Sequence, residues 1–384
     1  MKYHSLLIIG LLFISFGSAF AEDHSIVHVS PFYLEASYVG DALGNFSGGI
    51  KRGAAYLGTA NVKFSFDTEK AGFWNGGQFY IDGANTHGNT PSADLVGDFQ
   101  IVSNIEAGNL TYVHELWYKQ QFKNFSAILG VQDLNAEFAS DESAGLFLNS
   151  SFGVHSTISN NIPSPIFPLT ALGFQVHYTF SEKWNGKIAV FDGLPEGFKH
   201  NTHNLSWKLD PNEGYLLVSE FAFLNLLSGK LPGTYKFGGY YHNHYDSGNA
   251  TDSLVKLNHE NYGLYVVFDQ ALFKHSDGQA LSMFAQASVS PKSKNTNCNY
   301  LGLGLNYTGL LKNRFNDILG VAVARAGFKN SVFSNETTLE LTYKLQLTEC
   351  IFLQPGFQYV IHPAGTDDKL DNALVGILRF GFKI

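Results

Sequence analysis

Three residues in LTYVHELWYKQQF (110–122) have the types and spacing to do chemistry: Glu115, Trp117 and Lys119, each two positions from the next. On an extended strand alternate side chains leave one face about 7 Å apart, so an indole stands between an acceptor and a donor. That arrangement suits weak, reversible recognition of a hydroxylated ring, whose C–H face meets the indole while its hydroxyls meet the charges. Thr111 and Gln121 fall on the same face and mark it as polar. Gln132, Glu340, Lys344 and Gln358 hold polar positions in other alternating segments and complete a mixed-charge, amide-rich lining. Catalytic chemistry finds less support. His242 and His244 form a His-x-His pair in KFGGYYHNHYD, but no cysteine or third histidine stands at a telling metal-ligand spacing. Neither a metal site, nor a cofactor, nor an enzymatic activity is expected.

Such residues need strands to hold them. In ETTLELTYKLQLT (336–348), Glu336, Thr338, Glu340, Thr342, Lys344, Gln346 and Thr348 alternate with Thr337, Leu339, Leu341, Tyr343, Leu345 and Leu347. The alternation runs about twice the usual strand length of 5–6 residues, enough to cross a bilayer at a tilt. Composition agrees: 15% charged and 15% aromatic residues, 39 glycines, 33 phenylalanines and 2 methionines, at a mean hydropathy of -0.05. Beyond the N-terminus no run approaches the roughly 18 apolar residues of a membrane helix. The pattern is all-β, a transmembrane antiparallel barrel whose lipid and lumen faces average out along each strand.

A period-two reading predicts about sixteen strands, near 31–39, 57–66, 75–83, 108–121, 125–133, 170–180, 186–192, 214–227, 235–245, 262–272, 280–290, 300–308, 318–327, 336–347, 351–362 and 373–384. Short turns (122–125, 181–186, 347–350) alternate with long loops centred on 40–56, 84–107, 134–169, 193–213, 246–261, 291–299 and 363–372. Short turns belong on the periplasmic side and long loops outside. Trp74, Trp184, Phe380 and Phe382 are expected at the membrane interface. In the last segment Leu374, Leu378, Phe380, Phe382 and Ile384 share the lipid face, while Arg379 and Lys383 point into the water-filled lumen.

The N-terminus reads as an export signal over 1–21: Lys2, an apolar run Leu6–Phe16 and the small-x-small site Ala19-Phe20-Ala21. Residues 22–384 then form one barrel domain, with outer-membrane lipid as its surroundings. A formal charge of -8 argues against nucleic acid as a partner. Oligomeric state is not readable.

LTYVHELWYKQQF, ILGVQDLNAEFA (128–139), SAGLFLNSSFG (143–153), GGIKRGAAYLG (48–58), AVFDGLPEG (189–197) and the closing ETTLELTYKLQLT…LQPGFQYVIHPAG…NALVGILRFGFKI together resemble the carbohydrate-selective porins of Gram-negative outer membranes. The resemblance covers nearly the whole mature chain in order. It implies a passive outer-membrane channel for mono- and small oligosaccharides; the other reading is a general or differently selective porin for small hydrophilic solutes. Two departures stand out: the terminal Ile384 in place of an aromatic, and the Asn-, Ser- and Pro-rich loop 134–169. That loop carries Phe138, Leu146, Phe147, Leu148 and Phe152, so it is expected to fold inward and narrow the pore. Cys298 and Cys350 fall on opposite rims, about 25 Å apart, and should not pair.

Overall fold

The computed structural model describes residues 30–210, 212–243, 260–275, 278–329 and 331–384. The export signal and His244 lie outside them. Sixteen antiparallel strands close into one barrel, each paired with its neighbours in chain order and β1 with β16. They are β1 Phe32–Ser47, β2 Gly53–Asp67, β3 Gly77–Gly88, β4 Leu110–Gln121, β5 Phe125–Gln132, β6 Ala171–Thr179, β7 Trp184–Asp192 and β8 Tyr215–Leu227. The others are β9 Leu231–His242, β10 Asn261–Lys274, β11 Ala280–Val289, β12 Asn297–Thr308, β13 Ile318–Phe328, β14 Asn335–Gln346, β15 Ile351–Ile361 and β16 Ala373–Lys383. Closure leaves no backbone edge unpaired, the condition for a sheet in hydrocarbon.

Alternation sorts the two faces. Leu339 and Leu341 of β14 are exposed outward, whereas Glu336, Thr338, Glu340 and Thr342 are buried inward. Leu374, Leu378, Phe380 and Phe382 of β16 are likewise exposed, and Trp74 and Trp184 stand exposed beside periplasmic turns. Cys298 opens β12 at the extracellular rim and Cys350 lies in the opposite turn; both thiols are free.

Two expectations need correction. The span 40–56 is mostly strand: β1 runs to Ser47, β2 begins at Gly53, and only 48–52 turn. Its glycines imitate a loop, but the aromatic ring of Phe46 covers Gly44 and Gly376 and supplies the side-chain contact those positions lack. Gly48, with φ +66°, allows the tight turn; a Cβ there would lie 2.0 Å from the Asn372 carbonyl oxygen. Second, the inner face of β14 from Glu336 to Thr342 does not meet open water. Loops 89–109 and 133–170 cover it.

Candidate functional site

The inner wall is divided. On β7, β8 and β10 it is largely apolar, with Ala189, Phe191, Leu216, Val218 and Val267 buried there. Loop 133–170 docks on this surface through Leu134, Phe138, Ile158 and Ile162, while Phe147 and Phe152 pack on Phe284 and Tyr300. Each such side chain contributes about 2 kcal/mol of burial, which offsets the ordering of a long connection. The loop winds two short helices, α1 Ser150–Gly153 and α2 Ser156–Ser159. The Asn149 side chain accepts from Ser151 N at the start of α1. His155 is buried against Tyr265 and Tyr300, and burial lowers its pKa to about 3, so it is neutral.

Wall carboxylates fix the loops by their backbone. Glu340 accepts from Leu148 N at 2.7 Å and Asn149 N at 3.0 Å. Glu336 accepts from Phe99 N, Gln100 N and Ala364 N, holding loops 89–109 and 362–372 together. Glu220 accepts from Ala139 N, and Asp269 from both N and Oγ of Ser143. Charge-assisted bonds of this kind are the strong ones.

This arrangement revises the expected lining. Glu340 is a loop clamp; Gln358, also buried, donates to Val102 O at 2.8 Å and to Glu340 at 3.1 Å. Gln132 is buried in the wall, donating to Gly173 O at 2.7 Å. None of the three faces open lumen, because inward loops now occupy the space in front of them. Arg379 points inward but is buried against Asp41 at 2.7 Å, while Lys383 pairs with Glu35 at 2.5 Å. His242 is buried and bonds the Gly193 carbonyl at 2.7 Å, and no metal-holding group occurs among the described residues.

Glu115, Trp117 and Lys119 share the lumenal side of β4, all half-buried. The register places Glu115 opposite Asp82 but Val113 opposite Gly83, which leaves His114 bulged. The bulge changes parity, so Thr111 is exposed on the outer side, where Asn85 donates to its Oγ1. Trp117 stacks on Tyr80 with centroids 4.6 Å apart and rings 19° from parallel. Glu115 accepts from Asp133 N at 3.2 Å, at the start of the inward loop.

Three chambers run through the remaining space. The outer one, ≈ 710 Å³, is lined by Asp98, Gln100, Glu106, Ile162 and Leu169 among others. A middle chamber of ≈ 390 Å³ shares Asn104, Ser150, Ile166 and Phe167 with it, and adds Asn135, Lys344, Phe352, Gln354 and Arg379. An inner chamber of ≈ 750 Å³ shares Gly145, Leu146 and Lys344 with the middle one and reaches Pro232 and Thr308 at periplasmic strand ends. The shared residues join the three, and the middle one, the smallest by volume, also reaches the periplasmic end of the wall at Phe352. Of the residues expected to line the pore, Lys344 alone lines these chambers; Trp117, Glu115 and Lys119 stand apart on the β4 wall.

The loop acids hold their protons unusually well. Burial raises Asp98 to about 6, and burial with Asp98 nearby raises Glu106 to about 7. Burial and the adjacent Asp269 raise Asp141 to about 8. All three are carboxyls, so they gain negative charge as pH rises through these values. Preference for potassium over chloride should therefore grow between pH 5 and pH 9; reversal potentials in a salt gradient at the two pH values measure it.

A closed barrel of sixteen strands, with a lumen narrowed by an inward loop, defines a porin-type channel. Residues 51–384 match the carbohydrate-selective porin, OprB family, and the chain belongs to that family. It is an outer-membrane channel for passive diffusion of small carbohydrates. Porin B of Pseudomonas aeruginosa is 25% identical, across 90% of this chain and 86% of that protein. The high-pH structure of Pseudomonas putida OprB superposes with a TM-score of 0.81 at 23% identity, covering 92% of this chain and 94% of that one. The outer-membrane channel DcaP of Acinetobacter baumannii is more distant, with a TM-score of 0.54 at 11% identity.

Proposed function

We propose that sugars cross from the outer chamber into the middle one, the smallest of the three, and are selected there. The observation that carries this is its lining: the amides of Asn104, Asn135 and Gln354 stand with the rings of Phe167 and Phe352 around ≈ 390 Å³. At about 30 Å³ per water that is room for roughly 13 waters, so a permeating ring exchanges its hydration for the wall. The Asn135 and Gln354 N–H groups already donate within the protein, which leaves their amide oxygens to accept from sugar hydroxyls, and phenyl faces cover C–H groups. Apart from Lys344 and the Asp41-paired Arg379, the contacts are few and uncharged, which permits release.

Glu115, Trp117 and Lys119 form a second station on the β4 wall in this reading. Lys344 belongs to the filter, while Gln132, Glu340 and Gln358 serve it indirectly by holding the wall and its loops. Transport is passive, with no catalytic step. Residues 1–21 direct export and are removed, and 22–384 constitute a single barrel in outer-membrane lipid. Liposome swelling tests the filter: glucose should enter faster than a zwitterionic amino acid of similar size. Equal rates for sugars, amino acids and salts would favour a general pore instead.

A further inference from the structure

The middle chamber is chemically one-sided. Its ionisable lining residues are Lys344 and Arg379, and neither Asp nor Glu lines it. Arg379 is already committed: Nε and Nη2 donate to Asp41 at 2.7 and 2.8 Å, and Nη2 also donates to Asn104 at 2.8 Å. Lys344 is in no ion pair among the described residues, and its Nζ lies 4.7 Å from the Phe352 ring centroid. The smallest of the three chambers, in a chain of formal charge -8, therefore presents one available charge, and it is positive.

We propose that Lys344 makes this chamber a site for sugars that bear a carboxylate, the hexuronates and aldonates. The inference rests on the chamber being the sugar path. A hexuronate keeps the ring and hydroxyls that Asn104, Gln354 and Phe352 can receive, and adds one anionic group for the ammonium. With bulk water displaced from a narrow lumen, that attraction exceeds its value in open solution. A lysine is a single point charge on a flexible stem, without the bidentate fork of arginine, so the bound carboxylate can leave again. An aminosugar of the same size meets repulsion and no acid to relieve it.

The test is current block of the reconstituted full-length channel at pH 6 by glucose, glucuronate and glucosamine. The native channel should bind glucuronate about fivefold more tightly than glucose, and glucosamine less tightly than either. Lys344→Gln should bring the glucuronate-to-glucose ratio to about one, and Lys344→Glu should reverse the order in favour of glucosamine. Heat-modifiable gel migration establishes that each variant is a folded barrel, and Lys344→Met replaces any variant that is not. A native ratio of one or less overturns the proposal, as does a ratio that survives Lys344→Gln. If glucose itself neither blocks nor permeates, the sugar path through this chamber fails as well, an outcome distinct from an unfavourable ratio.

Discussion

Deleting the tip of the inward loop, residues 141–153, raises single-channel conductance severalfold and leaves a barrel that still migrates as folded on a cold gel. The loop occupies the lumen through Phe147, Leu148 and Phe152, and its removal merges the middle and inner chambers. A milder form of the same experiment is Glu340→Ala. It strips Leu148 N and Asn149 N of their shared acceptor, at about 1.5–3 kcal/mol for each bond to a charged group. The released loop should produce frequent excursions to higher conductance, while Glu340→Gln, which keeps one acceptor oxygen, should lie between the two. Unchanged conductance after the deletion would mean that the loop does not set the constriction.

Trp117→Ala should weaken sugar block by about tenfold, through loss of an aromatic platform and its buried area. Glu115→Gln and Lys119→Gln should each weaken it by about threefold or less, because charge pairs in contact with water contribute little. The Tyr80 ring already covers one face of the indole, so a sugar can use only the other. Salt conductance should change only slightly in Trp117→Ala. If sugar block persists while the barrel loses heat resistance, Trp117 is a packing partner of Tyr80 and the second station does not exist.

The lipid face was the most legible part of this sequence. Hydrocarbon favours apolar side chains along the outward positions, so Leu339 and Leu341, or Leu378 and Phe380, write the period openly, and each of the sixteen predicted strands overlaps an observed one. The inner face has no such uniform solvent. Glu340 and Glu115 look alike in an alternating string, yet one is buried under loop backbone and the other is half-buried on the β4 wall. Parity also fails where a strand bulges: the residues after His114 were placed correctly, and Thr111 before it was not. The role of Asp41 was missed because the glycines around it suggested a loop. A usable signal did exist for the inward docking. Leu216, Val218 and Val267 fall on lumenal positions and make little sense in water, and single acids, Glu220 and Asp269, interrupt that apolar face where loop N–H groups arrive.

The carboxylate clamps also set an order of events in assembly. Leu148 and Asn149 are separated from Glu340 by 192 and 191 residues, and Phe99 from Glu336 by 237. Neither loop can complete its bonds until β14, near the end of the chain, stands in the wall. Contacts of such long range form late because the closure entropy precedes the gain. During insertion the loop can already dock on β7, β8 and β10, and the final clamps that fix the constriction form only as the C-terminal strands close the ring. Narrowness of the channel thus serves as a certificate of completion: a barrel lacking its last strands would leak, and its unclamped loops would be open to protease.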